Sequence, residues 1–223
     1  MTARRPPARP VPPRVAAPRI GALAEEDPRA LVPDDLHEGA RYAGAELAGR
    51  DLTGAVFSEC ELLGWSANDA LLSACSFQDV RIDRLSAAAI AMDRSSWLSV
   101  AMAGSRLGSV DGHDSMLRGV SLEASKIDWW NLRGAELRDV LVRGCVLGDL
   151  DLSGAHAQRV AFEDCRIDTL TLDGARLVDV DLRGAELGTV NGVEGLRGAT
   201  LTTDQIERLA PVFAARLGID VRG

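Results

Sequence analysis

Residues 135–154 read AELRDVLVRGCVLGDLDLSG, and one five-residue pattern repeats through them. An apolar residue stands at every fifth place from Leu137 to Leu152, and the residue two places before each is small or apolar. We call these two positions i and i−2. Through residues 42–192, 29 of the 31 i positions are apolar and the other two are glycine. The register therefore holds for about 150 residues without an insertion.

The charges follow the same period. Residues 42–192 contain 23 acidic and 14 basic residues, and Arg50 is the one charge at an i or i−2 position. A helix requires a period of 3.6 and a simple strand a period of 2, so neither explains this pattern. Two inward side chains with one outward residue between them make a short strand, and the remaining two residues turn the chain.

Four such turns close a square, so one coil takes four pentads, and successive coils stack at the β spacing of ~4.8 Å. The sequence predicts an all-β solenoid of about 7.5 coils over residues 40–201. Columns formed by every twentieth residue agree with this, because six valines from Val80 to Val180 share one column. Glycine recurs at i+2, where a tight corner favours positive φ. These glycines are Gly44, Gly49, Gly54, Gly64, Gly104, Gly119, Gly134, Gly144, Gly154, Gly174 and Gly184.

Ala45-Glu46-Leu47, Ala135-Glu136-Leu137, Ala185-Glu186-Leu187 and the run GCVLG at 144–148 resemble the A(D/N)Lxx motif of pentapeptide-repeat proteins. The resemblance implies a right-handed quadrilateral β-helix. It also implies a scaffold without enzymatic activity, because the repeat describes a framework rather than a reaction.

The two ends differ from the repeats. Residues 1–21 are rich in arginine and proline, which predicts an extended, disordered tail. A solvated leader is favoured over contact with nucleic acid or a membrane surface. Residues 22–39 are expected to cap the first coil. No apolar run is long enough to span a membrane, so the cytoplasm is the expected location.

Residues 202–223 predict a short C-terminal helix. Thr202 with Gln205, or Asp204 with Glu207, fits a capping box. Pro211 either kinks the helix or begins a second one, and residues 219–221 alternate like a short strand. The helix either covers the last coil or forms a homodimer interface, as the C-terminal helices of gyrase-binding members of the family do. Its apolar residues are Ile206, Leu209, Val212, Phe213 and Leu217.

Candidate chemistry is sparse. Four cysteines, Cys60, Cys75, Cys145 and Cys165, fall at inward positions and are expected to be reduced core thiols. His113 lies beside acidic residues, but Ser115 is predicted to point inward, so a surface charge ladder is favoured over a triad. No spacing typical of metal ligands occurs. We predict a non-enzyme without cofactor or metal.

The outward residues define a candidate protein-binding surface. Trp129 falls at a corner, where it either joins an interface or packs onto the coil below. One wall collects aspartates against few arginines, although its net charge is modest. The candidate binding residues are Asp51, Asp93, Asp111, Asp114, Asp151, Asp173 and Trp129.

Three functions remain open from the sequence. The first is a protein-binding scaffold with an unspecified partner. The second follows from the resemblance: a DNA mimic that binds DNA gyrase or another type II topoisomerase and protects it from poisons, which would confer resistance. The third is an enzyme or small-molecule carrier. Duplex DNA carries one charge per ~1.7 Å, and the repeat region is less than half as dense. We expect no direct contact between the β-helix and nucleic acid.

Overall fold

The structure is a computed structural model that describes residues 10–221, and within this range the chain winds into a stack of parallel strands. The strands are β1 (Ala24–Glu25), β2 (Leu36–Glu38), β3 (Ala40–Ala43), β4 (Val56–Ser58), β5 (Glu61–Leu63), β6 (Ala70–Leu71), β7 (Ser76–Asp83), β8 (Ser86–Ala91), β9 (Ser96–Ala103), β10 (Arg106–Asp111), β11 (Met116–Glu123), β12 (Lys126–Asn131), β13 (Glu136–Arg143), β14 (Val146–Asp151), β15 (His156–Glu163), β16 (Cys165–Thr171), β17 (Arg176–Asp181), β18 (Ala185–Asn191) and β19 (Ala199–Thr200). Two 3-10 turns, Pro28–Ala30 and Val193–Leu196, and one helix, α1 (Thr203–Arg216), complete the elements of this range.

The predicted coil length is confirmed by the strand pairing. Val120 pairs with Val140 and Val140 with Val160, so the predicted valine column lies on one wall. The inward aromatic rings stack in the same register, with centroids 5.3 Å apart for Phe57 and Phe77 and 4.8 Å apart for Phe77 and Trp97. The solenoid prediction is therefore correct at the level of individual residues.

The strands form two bent sheets rather than four separate walls. A 12-stranded sheet contains the eight-residue strands, such as β7, which continue around a corner from one wall to the next. A seven-stranded sheet contains the even-numbered strands from β6 to β18, and these strands continue around another corner of the rectangle. The core lies inside this rectangle and consists of the i and i−2 side chains.

The prediction of about 7.5 coils is too low, since the solenoid has about 9 turns. Residues upstream of the repeats also add to the ladder: Ala24 pairs with Ala40, and Leu36 pairs with Val56. At the other end, β19 pairs with β17.

Arg50, the one charged residue at an inward position, is explained by the N-terminal segment. Its guanidinium donates to the carbonyl oxygen of Pro28 at 2.9 Å and to that of Leu31. These bonds hold the 3-10 turn against the first coils, where Leu31 is fully buried. Arg50 therefore fixes the start of the solenoid.

Most of the predicted corner glycines have positive φ, from Gly44 at 65° to Gly174 at 69°. Gly184 does not, and the prediction is wrong there. A Cβ at Gly184 would lie 2.5 Å from the carbonyl oxygen of Phe162, so this glycine permits a close backbone approach instead. Aspartate also occupies positive-φ corners, as at Asp79 and Asp139, because its short polar side chain tolerates this conformation.

The C-terminal segment forms a single helix, with Pro211 inside it. Thr202 and Gln205 form the capping box, whereas the alternative pair Asp204 and Glu207 does not. The short strand predicted at residues 219–221 is absent from the described residues, where this stretch is irregular. The start of this stretch is bonded to the end of the helix, where the Ile219 amide donates to the Ala214 carbonyl at 2.8 Å.

The predicted disordered tail differs from the structure over residues 10–21. These residues are extended, as predicted, but they lie along the wall of the solenoid and bond to it. The physical reason is a set of aspartate carboxylates that accept their backbone amides. Residues 1–9 of the predicted tail, and residues 222–223 of the C-terminal segment, lie outside the described residues.

Candidate protein-binding surface

The six candidate aspartates lie along one side of the rod, on strands and corners that the five-residue register positions. Asp111 and Asp151 occupy one outward column with Asn131 between them, two coils apart. Asp51 lies lower in the same column, which the pairing of Leu71 and Ala91 connects to Asp111. At ~4.8 Å per coil, Asp111 and Asp151 stand about 10 Å apart.

Four of these six carboxylates are bonded to neighbouring side chains, those of Asp51, Asp93, Asp111 and Asp151. Asp111 accepts from Asn131 Nδ2 at 2.8 Å and bonds to His113 Nδ1 at 2.8 Å. Asp151 accepts from the Ser153 hydroxyl at 2.5 Å and from Arg133 at 3.4 Å. Asparagine and serine leave the charge of a carboxylate in place but hold its oxygens against the wall. The sequence did not reveal these contacts because each partner is a separate outward residue.

Asp93 is the most enclosed of the six, at 8% exposure. Burial opposes ionisation of its carboxyl, but hydrogen bonds from Ser73 and Arg94 outweigh that cost, so its pKa is lowered. The Arg94 Nε lies 2.9 Å from Asp93 Oδ2. Asp93 is thus already paired and contributes little to an acidic surface.

The remaining three candidates, Asp51, Asp114 and Asp173, are exposed. Hydrogen bonds from the Thr53 side chain and backbone amide lower the pKa of Asp51, which favours its ionised form. Asp114 projects from a corner with a φ of 55°. These three carboxylates are therefore the ones on this side that are most open to a partner.

Trp129 lies on β12 with 38% of its surface exposed, between Ser109 and Asp149 of the adjacent coils. Its exposure makes it available as an apolar contact within an otherwise polar surface. It follows the bend of β12 at Asp128, and the strand continues past it to Asn131.

The His113 group does not form a nucleophilic site. The Asp111 side chain bonds to His113 and raises the pKa of its imidazole. Ser115 is buried, and its hydroxyl donates to the Met92 carbonyl at 3.0 Å, inside the core. The serine and the histidine therefore lie on opposite sides of the backbone, as the register predicts.

The four cysteines are buried and free. Burial raises the pKa of Cys75 to about 12, so this thiol remains protonated and unreactive. Each sulfur lies within hydrogen-bonding reach of a backbone carbonyl, as for Cys165 and Val142 at 3.4 Å. Among residues 10–221, no group of three or more His, Cys, Asp and Glu side chains is arranged to hold a metal ion. Nor does this range include a helix with the length and apolarity to cross a membrane.

The C-terminal helix presents two different faces. Leu209 is buried and Phe213 packs against the core, so these two residues cover the last coil. Ile206, Val212 and Leu217 remain exposed. Of the five predicted residues, two therefore cover the last coil and three are open to solvent.

The repeating unit identifies the architecture. From β2 to β18 the paired strand residues lie twenty positions apart in the sequence, and two inward residues recur in each pentad. The chain has the pentapeptide-repeat fold. No protein-family profile matches the sequence, and no curated protein matches it significantly.

Solved structures of pentapeptide-repeat solenoids are similar to it over most of its length. A trypsin-treated form of QnrB1, a plasmid-mediated fluoroquinolone resistance protein, is 21% identical, with 91% of this chain and 98% of that chain covered and a TM-score of 0.39. HetL from the cyanobacterium Nostoc, a pentapeptide repeat protein involved in heterocyst differentiation regulation, is 14% identical, with 76% and 90% covered and a TM-score of 0.24. Likeness at this level concerns the fold and carries no argument about activity.

His37 is a buried histidine near the start of the pentapeptide-repeat solenoid. His37 Nδ1 lies 2.9 Å from the Tyr42 hydroxyl, and its ring stacks on Phe57 at 5.1 Å. Its Nε2 is buried and has no hydrogen-bond partner among residues 10–221. Burial therefore lowers the pKa of His37 below its ordinary value.

We predict that acidification destabilises the first coils. Because the folded pKa is below the unfolded value of about 6.5, stability is intact above that pH and falls as the pH drops through it. Hydrogen exchange of residues 36–62, measured from about pH 7.5 to about pH 5, should show this loss after correction for the intrinsic rate. A His37→Phe variant, which keeps the stacked ring, should lose the dependence. An equal dependence in both proteins would assign it to other groups.

Proposed function

We propose that this chain is a non-enzymatic scaffold that binds another protein through the outer walls of its solenoid. The observation that carries the proposal is the continuous side-chain filling of the rod. The enclosed space in its core, beside Gly112 and Trp130, has a volume of about 40 Å³, against ~300–1,000 Å³ for a typical ligand pocket. Within the described residues the core therefore has no room for a substrate-sized ligand, whereas the outer walls offer area for a protein partner.

The sharper form of the proposal is a DNA mimic that binds DNA gyrase or a related type II topoisomerase in the cytoplasm and protects it from poisons. About 9 turns at ~4.8 Å give a rod about 43 Å long, and the chain has a net charge of −8. The resemblance of its repeats to the gyrase-binding members favours this partner. Exposed Asp51, Asp114 and Asp173 supply negative charge, and Trp129 supplies an apolar contact. The alternative is a scaffold with an unrelated protein partner.

A homodimer through α1 would extend the rod and belongs to the same proposal. The exposed side chains of Ile206, Val212 and Leu217 support it, since apolar residues at the end of a solenoid are suited to association. The mass of the intact chain in solution tests this point. A monomer at tens of micromolar would remove the dimer while leaving the scaffold proposal unaffected.

The gyrase proposal predicts a salt-sensitive effect in a supercoiling reaction with a quinolone present. The purified chain should protect or inhibit gyrase at micromolar concentration, and the effect should weaken as salt rises, because screening reduces contacts between exposed charges. An Asp111→Arg, Asp151→Arg variant should be at least about tenfold weaker, since two charges of one column are reversed.

A matched control separates the surface from the overall charge. Asp128 and Asp168 are also exposed and two coils apart, but they lie at the bend of β12 and β16, three positions before the column of Asp111 and Asp151. Asp128→Arg with Asp168→Arg changes the net charge equally and should retain activity if the aspartate side is the binding surface. Equal losses of activity in the two variants would show that net charge, and not the aspartate side, determines the effect on gyrase. A wild-type chain without effect at high concentration would eliminate the gyrase proposal.

A further inference from the structure

Residues 10–21, which we call the N-terminal strap, run along the solenoid and cross five coil steps. Backbone amides of the strap donate to three aspartates of one corner column: Val11 to Asp179 at 3.3 Å, Arg14 to Asp139 at 3.0 Å, and Arg19 to Asp79 at 3.0 Å. From Val11 to Arg19 the strap therefore runs from the C-terminal coils toward the N-terminal coils, opposite to the progress of the chain along the solenoid. These contacts join residues up to 168 positions apart in the sequence.

Each donating amide directly follows a proline. The pairs are Pro10-Val11, Pro13-Arg14 and Pro18-Arg19. Proline has no amide hydrogen and a fixed, extended φ, so it keeps the chain extended without offering a donor itself. The amide that follows is the donor that an aspartate accepts. The composition that predicted disorder therefore contains a regular pattern of donors.

The spacing of these donors fits the coil rise. A polyproline II chain advances ~3.1 Å per residue, so the three residues from Val11 to Arg14 span ~9.3 Å. The aspartates that they contact are two coils apart, which is ~9.6 Å. The five residues from Arg14 to Arg19 span ~15.5 Å, against ~14.4 Å for the three coils between Asp139 and Asp79. The spacing of the three donors in an extended segment thus matches the spacing of the three aspartates along the solenoid.

Small side chains make room for the strap on the adjacent wall. Val15, Ala16 and Ala17 border a groove beside outward residues of the 12-stranded sheet. Between Arg81 and Asp181, the outward column of that wall consists of Ala101, Ser121, Leu141 and Ala161. Ala161 is only 6% exposed although its position is outward. This column forms the floor of the strap groove, and it explains the outward Leu141.

Arg159 also shows that the strap covers its column. It occupies a corner between Asp139 and Asp179, yet it is 9% exposed. Its guanidinium makes two hydrogen bonds of 2.6 Å to Asp139. The strap residues between Val11 and Arg14 pass this level. Pro13, Val15, Pro18 and Ile20 are half-buried, whereas Arg14 and Arg19 are exposed.

We propose that Asp79, Asp139 and Asp179, with the floor of small residues, form a binding track for extended proline-rich peptides in which each aspartate accepts the amide after a proline. Residues 10–21 are its resident ligand and exchange with the same segment supplied in trans. The track recognises the backbone of its ligand, because the strap donates main-chain amides and leaves its arginine side chains exposed. The ligand class is therefore defined by the Pro-X spacing rather than by charge.

The test uses the full chain and a labelled, acetylated peptide of residues 10–21. A strap variant, Val11→Pro with Arg14→Pro and Arg19→Pro, removes the three donors but retains an extended strap. The peptide should bind this variant at least about tenfold more tightly than the wild-type chain, where the tethered strap competes at high effective concentration. Fluorescence anisotropy measures both affinities.

The second variant removes the acceptors. Asp79→Gly with Asp179→Gly, introduced into the strap variant, should weaken peptide binding at least about tenfold. Glycine suits these corners, because φ is 52° at Asp79 and 55° at Asp179, and Gly119 already stands in the same column. Ser99→Gly in the same column is the matched control and should leave binding unchanged. Circular dichroism confirms that each variant is folded. Absence of peptide binding to the strap variant, or equal binding to the acceptor variant, would overturn the proposal.

Discussion

Replacing Gly148 by alanine is expected to destabilise the solenoid by about 3 kcal/mol or more. A Cβ at this position would lie 2.2 Å from the carbonyl oxygen of Asp128 in the adjacent coil. The obstacle is backbone within a parallel ladder, so neither side can move without breaking inter-coil hydrogen bonds. Gly108 and Gly188 face the carbonyls of Ala88 and Asp168 in the same way, each at 2.3 Å.

Gly144 provides the matched control four residues away. Its φ is 60°, and a Cβ there would meet nothing within 4 Å, so alanine should cost only about 1–2 kcal/mol of backbone strain. Denaturant unfolding followed by circular dichroism, with hydrogen exchange to locate the affected coils, measures both variants. The close approach of the coils would be contradicted if Gly144→Ala proved equally or more harmful.

These two glycines show what the sequence could and could not predict. The pentad register identifies Gly144 as a corner, and its positive φ confirms that prediction. Gly148 lies one place from an inward leucine, where the repeat pattern assigns no special role. Its function depends on the distance to a carbonyl one coil away, and a spacing rule contains no such distance. The fold was thus predictable from periodicity, whereas the local closeness of neighbouring backbones was not.

Replacing Gln205 by alanine should destabilise the C-terminal coil by about 2–4 kcal/mol. Gln205 is 3% exposed, and its Nε2 donates to the carbonyl oxygens of Leu182 and Ala185 at 2.8 and 2.7 Å. Its Oε1 accepts from the Thr202 amide at 2.7 Å. One side chain therefore satisfies two carbonyls of the last coil and also caps the helix. Alanine leaves these carbonyls buried without their donor.

Glu207 is the control for Gln205, because it lies two residues along the same helix and is exposed. Glu207→Ala should change stability by less than about 0.5 kcal/mol. The expected signature of Gln205→Ala is faster hydrogen exchange in β17, β18 and α1, with the central coils unaffected, since coils contact only their neighbours. A loss spread evenly over all coils, or none at all, would contradict the proposed role of this side chain.

The candidate surface was only partly predictable. The register correctly placed the aspartates on one side, since outward positions follow from the period. It could not reveal that Asp93 is paired with Arg94 or that Asn131 holds Asp111, because these contacts depend on side-chain conformations. The strap was missed for a different reason. Proline and arginine content predicts an extended chain, and only the aspartate column 60 to 168 residues away provides it with acceptors.

The most direct test of the stacked coils is a pair of distances between spin labels on one exposed column. Glu38, Gln78 and Gln158 belong to that column, which the strand pairing connects coil by coil. Cysteine variants at these positions can be labelled selectively because the native thiols are buried. At ~4.8 Å per coil, we expect about 19 Å between residues 78 and 158 and about 29 Å between residues 38 and 158. A difference of about 10 Å between the two distances supports one coil per four pentads, whereas equal distances, or a separation far from this increment, would contradict the solenoid.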